Sequence, residues 1–501
     1  MNDDAKSDAG VGVRIFRNFG YLSIGKLLAD GSTFLFFIVL ARTYAQEGIG
    51  QYSFAMALTG VLAVFADFGI HNMSIKNLSR YRDQVTNYYG RLMAVRLLLS
   101  ASVLSVLLVM TAFLPFSEEM KLLIIVIGAY QILLTLVDGF GAVFVAWEDM
   151  HITSLLEVSL RVTTALAGIV IVLLGGSLTM AVSSLPVMTL LHVALGYHLT
   201  RKHCGGLHIR ITITEARQIL EEAFPYAVHF LLELFSSRVT LLFVGFILGA
   251  AATGLFNAAY RFVVVLLWVP MFAGFAIFPV ASRLHASSQK QLQELYRSTL
   301  NLAIVMGIPM AAGIWLISPK LIEILYGLEF VESIGILRWL AWLVLGGFLK
   351  TIMQMFLAAC DRQMTVTRIQ FLVACIGCAL HYWLIIKFGL PGAAAAILLG
   401  ETLLIVLLGS QLNELLNWQS IAERVLMSCT AVAAFLIPLM IWGGLPLSVT
   451  ILCAVLIYCG VLVLFKGIRQ DELQLISNFM FSNCPNRSDC SKKHIVKPGQ
   501  I

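Results

Sequence analysis

Charge is what this chain has least of. Asp, Glu, Lys and Arg make up 12% of its 501 residues, about half the share found in a soluble globular domain, which excludes a water-facing surface over most of the molecule. Long polar loops are missing as well. The longest on the outer side of the apolar segments is 318–333, with Lys320, Glu323, Glu329 and Glu332, so no external domain is available to host catalysis, and the chain is not read as an enzyme. The cysteines offer no disulfide framework. Of nine, Cys360, Cys375, Cys378, Cys429, Cys453 and Cys459 stand singly inside apolar stretches, where a small soft side chain packs well. In the tail, Cys484, Cys490 and His494 match no usual zinc spacing and lack a fourth ligand. No metal or cofactor is assigned.

What is abundant is apolar length. Apolar residues make up 59% and the mean hydropathy is +0.88. A helix needs about 20 apolar residues to cross the hydrocarbon of a bilayer. Fourteen segments meet that test: 20–42, 50–72, 89–113, 120–147, 151–174, 177–200, 220–248, 252–282, 298–317, 334–359, 364–387, 391–413, 424–443 and 446–466. The first is too long for a signal-peptide core and lacks a small-residue cleavage site, so it reads as helix one. The expected fold class is an all-α polytopic membrane protein with two six-helix lobes related by pseudo-two-fold symmetry, plus two extra C-terminal helices.

The divisions follow from these segments. Residues 1–13 form a loose cytoplasmic leader and 14–200 an N-terminal six-helix lobe. A basic cytoplasmic inter-lobe loop covers 201–219, and 220–413 is the second six-helix lobe. Helices 13 and 14 occupy 424–466 as lipid-facing additions, and 467–501 is a polar, basic cytoplasmic tail. Lys and Arg concentrate before helix one, in 73–91, 201–217, 283–297 and 361–368, and after 465, whereas the opposite loops carry only Arg42, Lys121, Lys320 and Lys387. That asymmetry places both termini in the cytoplasm. It accounts for the formal charge of +6 without nucleic acid, and suits the tail to anionic lipid headgroups.

An internal repeat supports the two lobes. LARTYAQEGIGQYSFAMALTGVLAVFADFGIHNMSIKNLSR, from Leu40 to Arg80, shares its punctuation with FILGAAATGLFNAAYRFVVVLLWVPMFAGFAIFPVASRL. Gly50 and Gly254 open the two units, Tyr52 and Phe256 follow two residues on, and Ser79-Arg80 and Ser282-Arg283 close them. Duplicated apolar helices with such bookends are typical of transporters. Six helices per lobe bring helix seven back to the side on which helix one starts, so the axis runs along the membrane normal.

An ionisable group at bilayer depth costs at least about 2.5 kcal/mol, so the embedded charges mark where function should be sought. Lys26 and Asp30 are four apart in helix one, which fits a self-neutralising pair and a cavity lining equally well. Glu157 and Arg161 repeat that spacing nearer the cytoplasmic end and read as structural, while Asp67 and His71 read as interfacial. Asp138 stands mid-helix among Gly139, Gly141 and Ala142 with no local partner, which favours a cavity. His229 and Glu233 share a face of helix seven, beside Pro225, Ser236 and Ser237. They suit a proton or sodium relay or a satisfied structural pair. Arg238 and Arg261 suit bidentate phosphate recognition, the alternative being pairing with Glu233 or Asp138. Lys350 in helix ten is a further embedded cation, and Glu401 lies in helix twelve. Pro225, Pro270, Pro279 and Pro309 bend helices as hinges or as static packing features.

The segment GIGQYSFAMALTGVLAVFADFGIHNMSIKNLSR resembles the second-helix signature of the polysaccharide-biosynthesis, O-antigen type flippases. These are a branch of the multidrug, oligosaccharidyl-lipid and polysaccharide exporter superfamily. TGLFNAAYRF with FPVASRL, ILYGLEFVESIGILRWLAW, LAACDRQMTVTRIQ and KFGLPGAAAAILLGETLLI resemble the family's later segments in order, so the likeness covers about residues 14–466. It implies a flippase of the bacterial inner membrane for undecaprenyl-pyrophosphate-linked oligosaccharide repeat units, driven by H+ or Na+. A polysaccharide polymerase and a chain-length regulator are its implied partners. By local motif, Arg261 in YRF matches an arginine of the lipid-linked peptidoglycan-precursor branch. That branch's arginines in helices one and two have no counterpart here, where Phe36 and Val64 stand, which argues for another glycan.

The expected activity is translocation for surface polysaccharide biosynthesis, O-antigen, capsule or exopolysaccharide, with no covalent chemistry. Arg238, Arg261, Lys350 and Lys26 are the candidate substrate-binding residues, and Asp30, His229, Glu233 and Asp138 the candidate ion-coupling residues. The alternatives are a multidrug or cation antiporter of the same superfamily, which favours acidic and aromatic pockets, and a membrane-embedded polysaccharide polymerase, which needs a sizeable outer loop or an acidic metal motif that the sequence lacks.

Overall fold

The computed structural model describes residues 2–80, 85–204, 211–415, 418–441 and 446–464. Cys484, Cys490 and His494, and residues 205–210 of the inter-lobe loop, lie outside the described residues. Among the described residues every regular element is a helix, and the fourteen expected segments fall on helices, with 252–282 and 334–359 each divided between two. Ten helices are long and apolar enough to cross a membrane, and Arg238–Leu248 and Leu447–Val461 are shorter apolar helices. The difference from fourteen arises because two long helices each hold two expected segments. Helix α1, Asn2–Asp67, breaks at Ala45 (φ 57°), and α13, Gln363–Ser410, breaks at Gly389 (φ 64°). In α1 the Phe36 and Tyr52 rings meet edge to face at 6.5 Å, so its two arms lie side by side as a hairpin. Residues 2–13, expected as a loose leader, belong to α1.

Helix α2, Ile70–Arg80, follows a turn at Phe68 and Gly69, both with positive φ. Gly69 is needed twice over, because a Cβ there would also lie 2.5 Å from the Ala227 nitrogen. Helices α3 (Val85–Phe113), α4 (Glu118–Ala146), α5 (Met150–Leu173) and α6 (Leu178–Cys204) complete the first six expected segments. Helix α7, Ile213–Leu248, starts with a reciprocal capping box between Thr212 and Glu215 and runs through Pro225 without ending. The Thr212 backbone N–H, then its hydroxyl, then Arg91 hold the Glu215 carboxyl below the usual carboxylate range.

The chain forms two compact units. The first comprises Met1–Val265, Ser318–Leu340 and Thr367–Leu404. It contains the whole of 14–200 and, with it, α7, most of α8, Ala250–Leu266, and the short α11, Ser333–Leu340. Here α1 is the central element, packed on α3, α4, α5 and α7. The second unit comprises Leu266–Ile317, Ala341–Val366 and Ile405–Ile501. It includes α9 (Trp268–Ser287), most of α10 (Gln289–Tyr326) and α12 (Trp342–Ala359), together with α14 (Trp418–Ile441) and α15 (Leu447–Leu464). Helix α14 is more than a lipid-facing addition: its Ala431, Val432, Phe435 and Leu439 are buried with Ile304, Val305, Ile308 and Ala312 of α10. Tyr458 of α15 donates to the Val305 carbonyl at 2.5 Å. The opposite side of α14 keeps Leu426, Ile437 and Met440 exposed, as a lipid face requires.

Candidate functional site

In the first unit, α1 and α5 approach closely because glycine stands at two points of their contact. A Cβ on Gly25 would lie 2.0 Å from the Ser154 hydroxyl, and one on Gly168 would lie 2.4 Å from the Phe36 ring. Small residues at such crossings let backbones meet. The consequence at the Gly25 end is that Lys26 reaches across. Its Nζ lies 3.1 Å from Glu157 Oε1 and 3.5 Å from Asp30 Oδ1, with side-chain exposures of 29% for Lys26 and 34% for each carboxylate. One ammonium is thus shared by two carboxylates on different helices.

One turn beyond Glu157, Arg161 donates from Nη1 to the Tyr130 hydroxyl of α4 at 2.5 Å. Its Nε is buried without a hydrogen-bond partner, and its charge interacts with Glu157, Asp138 and Asp30. Asp138, on α4, has an exposed side chain. Gly139 beside it has a structural reason: a Cβ there would strike the Arg96 guanidinium at 1.9 Å.

Arg238 on α7 and Arg261 on α8 are electrostatic neighbours. Arg261 stacks its guanidinium 4.2 Å above the Phe37 ring, and its Nη1 is buried without a hydrogen-bond partner. Tyr52, almost wholly buried, interacts with Arg261, Arg161 and Arg238 and with Tyr130. Tyr52 thus lies within electrostatic reach of all three guanidinium groups. Among the described residues of this cluster the cations Lys26, Arg161, Arg238 and Arg261 outnumber the carboxylates Asp30, Asp138 and Glu157. A buried guanidinium N–H left unpaired costs about 1–3 kcal/mol or more, so the arrangement is suited to an anion that supplies several oxygens.

A family model for polysaccharide biosynthesis proteins matches residues 15–285. The chain belongs to the polysaccharide biosynthesis protein family. The MatE model also matches, over residues 225–383. A probable low-salt glycan biosynthesis flippase, Agl15 of Haloferax volcanii, is 23% identical over 385 residues, 75% of this chain and 78% of that protein. The fold is similar to that of the lipid II flippase MurJ in an inward closed conformation, with a TM-score of 0.74 at 13% identity over 89% of this chain and 98% of that one. It is also similar to a multidrug resistance MATE family transporter of the MOP superfamily in an inward-facing conformation, with a TM-score of 0.62 at 14% identity over 83% and 98%. The chain is a multi-pass membrane protein of the polysaccharide biosynthesis family, with a fold similar to that of these flippases and transporters.

In this member of the family, the structure brings Lys26, Asp30, Asp138, Arg238 and Arg261 into one charged cluster of the first unit. Lys350 lies on α12 in the second unit, half-buried. His229 and Glu233 lie on α7, and their side chains are outside the described residues. Asp67 is engaged elsewhere, paired with the buried Arg96, while His71 Nδ1 meets the Asp138 backbone carbonyl at 3.1 Å. Sequence reasoning missed Arg161, Glu157, Tyr130 and Tyr52 as members of the cluster. The Glu157–Arg161 spacing reads as a self-contained pair, but the two side chains turn to partners on other helices. The signal available was a guanidinium at bilayer depth, the same one that singled out Arg238 and Arg261. The second unit holds a cavity of about 450 Å³ lined by apolar side chains such as Ile304, Leu345 and Val425, with Ser410 and Asn413 among the few polar ones. Among the described residues that line it none is charged.

Proposed function

We propose that the chain flips a polyprenyl-pyrophosphate-linked oligosaccharide repeat unit from the cytoplasmic leaflet to the opposite leaflet of a bacterial inner membrane, for surface polysaccharide assembly. The observation that carries this reading is that Arg161 and Arg261, both on membrane-depth helices of the first unit, each keep a guanidinium N–H buried and unpaired. Guanidinium groups take diphosphate oxygens in a planar, bidentate manner. Membership of the polysaccharide biosynthesis family and the glycan flippase relative support the same substrate class. The sugar passes through a water-filled crevice while the lipid tail stays in the bilayer. Asp30 and Asp138 of this cluster, with His229 and Glu233 of α7, are the candidates for carrying H+ or Na+ against the substrate in an alternating-access cycle.

The test is Arg261→Ala in a strain lacking the chromosomal copy. Surface polysaccharide is expected to disappear while the protein's membrane level stays normal, and normal export would overturn the assignment. A multidrug exporter is the second reading, favoured by the MatE match. It predicts that expression raises resistance to cationic drugs without affecting surface polysaccharide. A surplus of cations in the cluster opposes it, because a cationic drug needs acidic or aromatic walls.

A further inference from the structure

Lys26 is placed to do two things that exclude each other. In this structure its ammonium is held between Glu157 Oε1 at 3.1 Å and Asp30 Oδ1 at 3.5 Å. Asp30 also interacts with Arg161 and Arg261, and Glu157 with Arg161, so the bridge adjoins the guanidinium groups rather than standing apart from them. About a third of each carboxylate remains open to solvent. The carboxylates stand on shorter stems than the lysine, on helices α1 and α5 that pack closely at Gly25 against Ser154 and at Gly168 against Phe36. The lysine can move, since its charge sits at the end of a flexible four-carbon stem. An ammonium–phosphate contact and an ammonium–carboxylate contact are both charge-assisted hydrogen bonds of similar length and strength. A diphosphate entering the cluster therefore competes with Glu157 and Asp30 for the same three N–H donors.

We propose that Glu157, with Asp30, acts as a built-in competitor of the substrate diphosphate for Lys26 and so sets how tightly the first-unit site holds it. The inference rests on the reading that this cluster binds a diphosphate. Its purpose follows from transport itself: a carrier that bound its anion with every available cation would release it slowly, and a carboxylate that reclaims Lys26 supplies the release. A purely structural bridge between α1 and α5 has a different consequence. Loss of either partner then loosens the helix pair, and no variant binds anion more tightly.

The experiment measures binding of inorganic pyrophosphate to the purified full-length protein in nanodiscs by calorimetry, for the wild type, E157Q, K26Q, the double variant and R261A. Thermal unfolding confirms that each is folded. Competition predicts that E157Q tightens pyrophosphate binding by roughly 1.5- to fivefold, the range of a partly exposed ion pair. It also predicts that K26Q weakens binding, and that E157Q has no effect once Lys26 is gone. If E157Q fails to fold, D30N is expected to change affinity in the same direction through the other carboxylate. Unchanged or weaker binding in E157Q and D30N, with R261A still weakening it, overturns the competition while leaving the diphosphate reading intact. Absence of pyrophosphate binding by the wild type, or binding indifferent to R261A, overturns both.

Discussion

Gly50 and Gly254 hold each other's helices at backbone contact. A Cβ on Gly50 would lie 1.7 Å from the Ala250 carbonyl oxygen, and one on Gly254 would lie 2.1 Å from the Gln46 carbonyl oxygen. Three residues on in each repeat, Asn257 Nδ2 donates to Ser53 Oγ at 2.6 Å, across a separation of 204 residues. That separation is the offset of the repeat itself, so equivalent positions of the two units touch one another. Reciprocal contact of this kind is what a two-fold axis imposes. The duplication seen in the sequence thus appears in the structure as a self-pairing seam between the second arm of α1 and α8.

Substitution at the seam should be costly. Gly50→Val or Gly254→Val forces backbone apart, and overpacking of this kind typically costs about 1–3 kcal/mol or more. Melting temperature in detergent is expected to fall by several degrees for both, relative to Gly313→Val, since a Cβ on Gly313 meets no atom within 4 Å. Equal melting temperatures for all three would contradict the close contact.

The same seam gives a conformational probe. In a cysteine-free background, Ser53→Cys with Asn257→Cys is expected to cross-link readily with a short thiol reagent, because the native side chains already touch. If the two helices must part during transport, the cross-linked protein exports no polysaccharide and reduction restores it. Full export by the cross-linked protein would mean that the seam stays closed throughout the cycle.

A second buried contact predicts a stability effect without a transport role. Arg96 is 2% exposed and pairs with Asp67, so Asp67→Ala strands a buried guanidinium, at a cost of about 3–5 kcal/mol. Low membrane yield or a marked drop in melting temperature is the expected result. Asp67→Leu with Arg96→Met should recover much of it, because removing both charges leaves neither unpaired.

At the start of α7 the dependence is on pH. Glu215 has a carboxyl held below the usual carboxylate range by Thr212 and Arg91. A depressed carboxyl stabilises the fold above its ordinary pKa, and that contribution fades as pH falls through the folded-state value. Amide exchange at the start of α7 should therefore rise under acid conditions more than its intrinsic pH dependence allows. Glu215→Gln should remove that excess, and an unchanged pH profile in the variant would show that the cap does not depend on this charge.

The all-helical, membrane-spanning class was legible because a span is dictated by apolar length alone, which a linear reading measures directly. Arg238 and Arg261 were legible for the same reason: a guanidinium inside apolar sequence is conspicuous wherever it points. Partners were not. Lys26 sits four residues from Asp30, a spacing that invites a local pair, yet its shorter contact is with Glu157, 131 residues away. Arg161 sits four residues from Glu157 but gives its hydrogen bond to Tyr130. On a helix the i, i+4 spacing shows which side chains share a face. Which neighbouring helix that face meets is fixed by close approaches such as Gly25 on Ser154, and nothing local in the sequence encodes them.

Arg161 is the residue on which sequence and structure differ most, and it gives the sharpest test of the cluster. Arg161→Lys keeps the charge but loses the planar fork, so a diphosphate ligand role predicts reduced export in the lysine variant and none in Arg161→Ala. Tyr130→Phe removes the acceptor of Nη1 and leaves another buried N–H unpaired, a penalty of about 1–3 kcal/mol that should appear chiefly as lower thermal stability with export largely retained. If Arg161 were only a strut between α4 and α5, Arg161→Lys would export normally and Tyr130→Phe would match Arg161→Ala. Polysaccharide yield normalised to membrane protein, measured beside melting temperature for the three variants, separates a group that grips the substrate from one that braces the helices.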